Sequence, residues 1–358
     1  MQKISNKQLN KMGNILRVNP KDDDVLTKVS QWRDLHIHPL LSFQRTLYRK
    51  VKEKNRLIAK RLKRMPTILD KLQRYEDTQL SIMQDIGGIR VILNNIDEVN
   101  KLAIIYNKST TSFKKVGYKN YILNPKDSGY RGIHIIYQYI CKRKSDEHKE
   151  LLNNLKIELQ IRTRLQHTWA TAVEMAGIFK NENLKSSIGN EDWLDFFSIV
   201  GSSFAYMEET TCLTQHVSLS KEEIFKQVVQ KSKLLRVKEI FPVLGDSLSF
   251  MKKINKEYSD RKYKYYVIKL DLTQEDSRDK IQLWASTQEN FEEASKKYQE
   301  LEKETFENKA CQVVLVSADK INEIQQIYQN FFLDTRDFLN ALDKIEKSVD
   351  ENSTHHHS

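Results

Sequence analysis

The chain has 358 residues, 39% of them apolar, with 59 Lys and Arg against 48 Asp and Glu and only 10 Gly and 5 Pro. This composition excludes a collagen-like or globally disordered chain, and at roughly 150 residues per domain it suggests two domains, each able to bury its own core. Cys141, Cys212 and Cys311 are far apart and form no CxxC pair, and the chain has no apolar run of membrane-spanning length, so the expectation is a cytoplasmic protein with neither disulfide framework nor membrane partner.

The charge is unevenly spread. Residues 1–210 carry 36 basic and 23 acidic side chains, whereas residues 211–358 carry 23 and 25. A basic first part implies an anionic partner, either nucleotide phosphates or nucleic acid, because like charges repel unless something negative relieves them. The density peaks from Arg45 to Arg64, where ten of twenty residues are Lys or Arg. Leu47, Val51, Leu57, Ile58 and Leu62 recur there at near-helical spacing, which predicts an amphipathic helix with a basic outer face.

In chain order, residues 24–58 read as helical, opened by Asp22 to Asp24 and broken near Pro39 into two helices. Residues 67–75 continue as helix, with Pro66 suiting its first turn. Gly88–Leu93, Lys119–Leu123, Ile133–Ile140 and Lys156–Ile161 are short, β-branched or aromatic, and read as strands. Asp97–Asn107, Arg164–Lys180 and Glu191–Met207 read as helices. Punctuation follows at Val217 to Glu223 and at Pro242–Gly245. Beyond it, Tyr265–Leu270, Ile281–Ala285, Phe291–Thr305, Val313–Ser317 and Ile321–Phe332 predict a ββαβα unit. The expected organisation is a first domain over 1–210, a helical linker over 211–245, a small α+β domain over 246–345 and a tail over 346–358. Phe331, Phe332 and Phe338 are expected to serve core packing. The fold class is α/β (α+β), a mixed sheet layered with helices.

Four segments carry candidate chemistry. In RLKRMPTILDKL, Lys63, Thr67 and Lys71 recur at spacings of four, which on one helix would form a cationic row able to grip a polyphosphate. Asp85 in QDIGGIR precedes a strand and two glycines, a common way to present an oxygen ligand near a phosphate, and an ordinary turn residue otherwise. In KIELQIRT, Glu158 and Gln160 alternate with Ile157, Leu159 and Ile161, so a polar row faces solvent or a site; Arg162, Thr163, Arg164 and His167 continue it. NPKDSGYRGIH opens on a turn and allows positive φ at Gly129, presenting Lys126 and Tyr130 from a loop, with Tyr130 able to stack on a base.

Taken in order, R-x-K-x-x-x-T-I-x-x-K, D-I-G-G-I-R, N-P-K-x-x-G-Y-R-G-I-H and E-L-Q-I-R-T-x-x-x-H resemble the synthetase domain of RelA/SpoT-type (p)ppGpp synthetases. The resemblance implies a nucleotidyltransferase-like mixed sheet flanked by helices. It also implies transfer of the β,γ-pyrophosphate of ATP to a ribose 3′-hydroxyl, with release of AMP. By position, Arg61, Lys63, Lys71 and Arg90 would hold ATP. Asp85 and Glu158 would organise Mg²⁺, and Glu158 would also assist deprotonation of the attacking hydroxyl. Lys126, Tyr130, His134, Gln160 and Arg162 would surround the acceptor. The loop departs from the family pattern at Ser128 and Gly132, and Arg131 would add a cation beside the stacking Tyr, which leaves the acceptor's identity open.

Two acceptors follow from the resemblance. The first is GDP or GTP, giving (p)ppGpp. The second is the 3′ end of tRNA, giving a toxin-like enzyme restrained by its C-terminal domain, and the basic stretch from Arg45 to Arg64 speaks for it. No His-Asp dipeptide of the family's hydrolase is present, so the expectation is synthesis without degradation. No DNA partner is expected, and the oligomeric state stays open.

Overall fold

The computed structural model describes residues 4–50, 57–108, 110–142, 146–180, 184, 187–238, 241, 263–271, 273–274, 281–287, 290–308, 311–317 and 336–355. They divide into two units. The first comprises Met1–Val91, Asp97–Lys119 and Ile133–Ile161; the second comprises Ile92–Ile96, Asn120–Gly132 and Arg162–Ser358.

The first unit opens with α1 (Asn6–Val18), whose start is fixed by a capping box: Ser5 accepts the Gln8 N–H, and the Gln8 side chain accepts the Ser5 N–H. Asp22 caps α2 (Asp23–Asp34) by accepting the Val25 N–H at 3.0 Å. The expected break before α3 (Ile37–Lys50) falls at Leu35 and His36. Pro39 lies just inside α3, where its missing N–H has no intrahelical partner to lose.

The basic helix expected over Arg45–Arg64 is not formed. Helix α3 ends at Lys50, and Leu57–Leu62 is strand β1; residues 51–56 lie outside the described residues. Pairing of β1 with β2 (Gly87–Leu93) in the sheet overrides the near-helical spacing of apolar positions, as tertiary context commonly overrides propensity. The short helix α4 (Met65–Arg74) follows with Pro66 in its first turn, as expected.

After β2 come α5 (Ile96–Tyr106), β3 (Phe113–Asn120), β4 (Ile133–Tyr139), α6 (Asp146–Leu152) and β5 (Lys156–Thr163). Together the strands make a five-stranded mixed sheet in the order β1-β2-β5-β4-β3. The strand expected over Lys119–Leu123 lies earlier. β3 ends at Asn120, whose Oδ1 accepts the Ile122 and Leu123 N–H groups at 3.0 and 3.1 Å and turns the chain.

Strands β4 and β5 pair antiparallel, with Ile136 opposite Glu158 and His134 opposite Gln160. Ile157, Leu159 and Ile161 are fully buried on the core face, so the period of two leaves Glu158 and Gln160 on the other face. Phe43 of α3 closes the core against Tyr106, Phe113 and Tyr137, with ring centroids 4.9–5.6 Å away.

Beneath the start of β2, His36 is 1% exposed and its Nδ1–H donates to the Arg33 carbonyl at 3.1 Å. Burial lowers its pKa from 6.5 to about 4, against the carbonyl hydrogen bonds of Trp32 and Arg33, which act to raise it. The folded protein therefore binds fewer protons than the unfolded chain between pH 6.5 and 4. Stability is held above 6.5 and lost as the pH falls through this window, by about 3 kcal/mol in all. His216 is shifted in the same direction by its own burial. Urea unfolding between pH 7 and 5 is expected to show a steeper loss in the wild type than in His36→Met, and equal slopes would reject the assignment.

In the second unit, α7 (Arg164–Lys180), α8 (Glu191–Met207) and α9 (Lys221–Leu234) are helices where the sequence expects helix. A three-stranded antiparallel sheet follows in the order β7-β6-β8, made of β6 (Tyr263–Asp271), β7 (Ile281–Thr287) and β8 (Cys311–Ser317). Helix α10 (Phe291–Glu304) covers it, with Val267, Ala294, Tyr298, Leu301 and Val313 as the core. The expected ββαβ order is thus present, while Pro242–Gly245 and the expected helix Ile321–Phe332, with Phe331 and Phe332, lie outside the described residues.

A last helix, α11 (Arg336–His355), runs through position 346, where the tail was expected to begin. Its Phe338 is fully buried, with ring centroids 6.4, 6.2 and 6.0 Å from Phe196, Phe197 and Phe204 of α8. Among the described residues no helix is long and apolar enough to cross a membrane.

Candidate active site

Two groups of side chains carry the sequence-predicted residues. The first lies in the first unit and centres on two carboxylates. Asp85 precedes β2. Its Oδ2 accepts from the Lys63 ammonium at 2.7 Å and its Oδ1 from Lys71 at 3.5 Å. Lys63 is not on a helix, because α4 begins only after Arg64. The expected single helical row therefore does not exist; the turn after β1 and helix α4 each deliver one lysine to Asp85. Lys63 is anchored there by its own N–H, which donates to the Ile86 carbonyl at 2.7 Å.

Burial pushes the Asp85 pKa upward, but the charges of Lys63 and Lys71, the Lys63 hydrogen bond and the charge of Arg61 outweigh it and hold the carboxyl well below the usual range. For Lys63 burial wins: its pKa is lowered despite the attraction of Asp85, with Lys71 and Arg61 adding to the lowering.

Glu158, on β5, is the second carboxylate. Its Oε1 accepts from His134 Nδ1 at 2.8 Å and its Oε2 from the Gln160 amide at 2.7 Å. Arg90 of β2, 8% exposed, donates through Nε to Gln160 Oε1 at 3.3 Å, extending the chain of hydrogen bonds across the sheet. Burial again acts to raise the Glu158 pKa. The hydrogen bond and charge of His134 prevail and bring it to about 2, while the Asp85 charge opposes them. Asp85 and Glu158 are thus near enough to repel one another, and each is kept ionised by its own cationic or hydrogen-bonding partners.

The second group lies in the second unit and centres on Tyr130. Its loop closes with the Lys126 N–H donating to the Tyr130 carbonyl at 3.2 Å and the Gly129 N–H to the Lys126 carbonyl at 2.8 Å. Gly129 has φ +96°, and a Cβ there would lie 2.6 Å from the Phe197 carbonyl oxygen and 2.9 Å from the Trp169 ring. Conformation and space both require glycine at this position. Arg162 donates through Nη2 to the Tyr130 hydroxyl at 2.7 Å, and its guanidinium carbon stands 4.9 Å from the ring centroid. Exposed Lys126 places its ammonium 4.9 Å from the Tyr121 ring and 5.6 Å from that of Tyr130.

Arg131 does not act as the expected cation beside Tyr130. It is 2% exposed and bound through Nη2 to Glu208 at 2.8 Å, so its charge is spent inside the protein. Sequence reasoning also missed Tyr121 and Trp169, whose rings stand 5.7 and 6.2 Å from that of Tyr130; neither sits in a recognisable motif. A cavity of about 360 Å³ in the first unit, bounded by Leu9, Trp32, Met83 and Leu155 among others, is lined by none of the predicted site residues.

The first group sets two carboxylates among cationic and hydrogen-bonding side chains, and the second sets Tyr130 among Arg162 and Lys126. Residues 60–183 match the family model described as the region found in RelA / SpoT proteins. GTP pyrophosphokinase YjbM of Bacillus subtilis strain 168 is 31% identical over 115 residues, which are 31% of this chain and 51% of that protein. GTP pyrophosphokinase YwaC of the same organism is 29% identical over 116 residues, 31% of this chain and 52% of that protein. The chain thus spans about half the length of these curated relatives. Among solved structures, small alarmone synthetase 1 from B. subtilis bound to pppGpp is 23% identical with a TM-score of 0.41, covering 50% of this chain and 89% of that one.

Proposed function

We propose that this protein is a pyrophosphokinase that transfers the β,γ-pyrophosphate of ATP to the ribose 3′-hydroxyl of GDP or GTP, making (p)ppGpp and releasing AMP. The observation that carries this reading is the bonding of the two carboxylates: Asp85 accepts from the ammonium groups of Lys63 and Lys71, and Glu158 accepts from His134 and Gln160. The family match over residues 60–183 and the two GTP pyrophosphokinase relatives support it.

Transfer of this kind is mostly positioning and neutralisation of charge. Arg61, Lys63, Lys71 and Arg90 hold the ATP phosphates, and Lys126, Tyr130 and Arg162 receive the acceptor, Tyr130 by stacking on its base. His134 and Gln160, assigned to the acceptor side, also fix the two oxygens of Glu158. A carboxyl with a pKa of about 2 holds protons weakly, so Glu158 serves better as a fixed negative ligand than as general base.

The donor set fits Mg²⁺. Mg²⁺ commonly takes one or two carboxylates, with substrate phosphates and water completing the octahedron, and among the described residues no cluster of three or more His, Cys, Asp or Glu offers a fuller cage. Asp85 and Glu158 would hold the ion, which supplies charge neutralisation at the transferring phosphates.

The test is incubation with γ-labelled ATP and, separately, GDP, GTP and bulk tRNA. Label is expected in GDP and GTP, with AMP formed in equal amount. Label in tRNA alone, with transfer suppressed steeply by salt, would replace this reading by that of a tRNA-directed toxin. The basic helix that spoke for the toxin is, in the fold, the end of α3 and the separate strand β1.

A further inference from the structure

We infer that Glu208 is the positioning residue of the acceptor site, a single carboxylate that fixes both Tyr130 and Arg162 through their chain neighbours. The inference rests on the placement of the acceptor at Tyr130 proposed above. Glu208 lies outside the residues matched to the family.

Glu208 sits just past the last turn of α8. Its N–H bonds back to the Phe204 carbonyl, Glu209 takes φ +51°, and the N–H groups of Glu209 and Thr210 return to the Tyr206 and Ala205 carbonyls at 3.2 and 3.0 Å. This is a Schellman closure, and it fixes where the Glu208 and Thr210 side chains start.

From there the carboxylate reaches two places. Oε2 accepts from Arg131 Nη2 at 2.8 Å and from the Gln166 amide at 3.0 Å, and Oε1 accepts the Thr163 hydroxyl. Thr163 and Gln166 form a capping box at the start of α7: the Gln166 N–H donates to Thr163 Oγ1 at 3.1 Å, and the Thr163 N–H to Gln166 Oε1 at 3.3 Å. Arg131 follows Tyr130 in the chain, and Thr163 follows Arg162. One carboxylate thereby ties down the residue next to each member of the Tyr130–Arg162 pair, whose own contact is the 2.7 Å hydrogen bond.

Burial makes the tie stiff. Arg131, Thr163 and Gln166 are 2%, 1% and 2% exposed. Among the described residues Arg131 Nε and Nη1 have no hydrogen-bond partner, and the guanidinium is held through Nη2 by Glu208 and the Thr210 hydroxyl. A buried ion pair of this kind is retained for geometry more readily than for stability. Here that geometry is the angle at which the Tyr130 ring meets a base.

The experiment uses the full chain and compares Glu208→Gln, the paired apolar replacement Arg131→Met with Glu208→Met, and Thr210→Val, which removes one hydroxyl at constant shape. Each is assayed for KM toward GDP and toward ATP, for GDP affinity by calorimetry, and for fold by circular dichroism. A sub-ångström to 1 Å misplacement of a positioned group costs roughly ten- to a hundredfold. GDP KM and Kd are therefore expected to rise about tenfold or more in the folded paired variant, with ATP KM within about twofold of wild type.

Unchanged GDP affinity in that variant, or equal rises in GDP and ATP KM, would overturn the inference. If both Glu208 variants fail to fold, Thr210→Val decides by the same split between GDP and ATP. Tyr130→Ala is run beside them. Loss of GDP affinity there without any effect of the Glu208 variants rejects the positioning role alone, and no loss there rejects the acceptor placement and the inference with it.

Discussion

Asp85→Asn, or Glu158→Gln, is expected to reduce AMP release from ATP and GDP by roughly three orders of magnitude, the equivalent of about 4 kcal/mol of lost charge stabilisation at the transferring phosphates. The chain should stay folded in both cases. Lys63 would lose its nearest anion in Asp85→Asn, but burial already lowers its pKa, so it can shed its proton instead of remaining as an uncompensated buried charge. In Glu158→Gln the amide oxygen can still accept from His134, and the β4–β5 pairing is untouched. AMP formation followed by chromatography, with circular dichroism as the control for fold, checks both. Near-normal turnover in either variant would sink the proposed transfer reaction.

The second large effect concerns stability. Phe338→Ala is expected to destabilise the second unit by about 3–5 kcal/mol, the usual cost of emptying a buried aromatic site that cannot collapse. The ring is fully buried and lies 5.4 Å, centroid to centroid, from Phe241 as well as against the three α8 phenylalanines. The consequence reaches the Tyr130 loop, because the Phe197 carbonyl also accepts the Trp169 indole N–H at 2.8 Å and abuts Gly129. Urea unfolding monitored by tryptophan fluorescence should show the earlier transition. A change under about 1 kcal/mol would mean that α11 is not part of this core. For the same reason, truncation near residue 240 should expose the α8 phenylalanines and yield an unstable chain instead of a released, more active enzyme.

Much of this arrangement is legible from local pattern. The alternation of Ile157, Leu159 and Ile161 with Glu158 and Gln160 marks β5 and its polar face, because a strand's period is set by its own backbone. The Gly129 turn is legible for a similar reason, since only one residue type tolerates its backbone. The stretch from Arg45 to Arg64 misleads because its apolar spacing is compatible with a helix, while the deciding interaction is pairing with β2, far off in sequence. The meeting of Lys63 and Lys71 on Asp85 depends on that same pairing. The burial of Arg131 depends on Glu208, 77 positions away, and nothing near either residue in the chain announces the other. Helix α11 differs. The apolar spacing of Phe338, Ala341, Leu342 and Ile345 is itself that of an amphipathic helix; what the local pattern does not give is that this face packs on α8.

The alternation along β5 makes that strand a ruler. Substitutions that keep its length change one reagent or one piece of core at a time, whereas removing a single residue between Lys156 and Arg162 would slide isoleucines outward and drive Glu158 into oil. Length-keeping swaps are thus the changes β5 tolerates, while the connections between strands carry no such constraint of register.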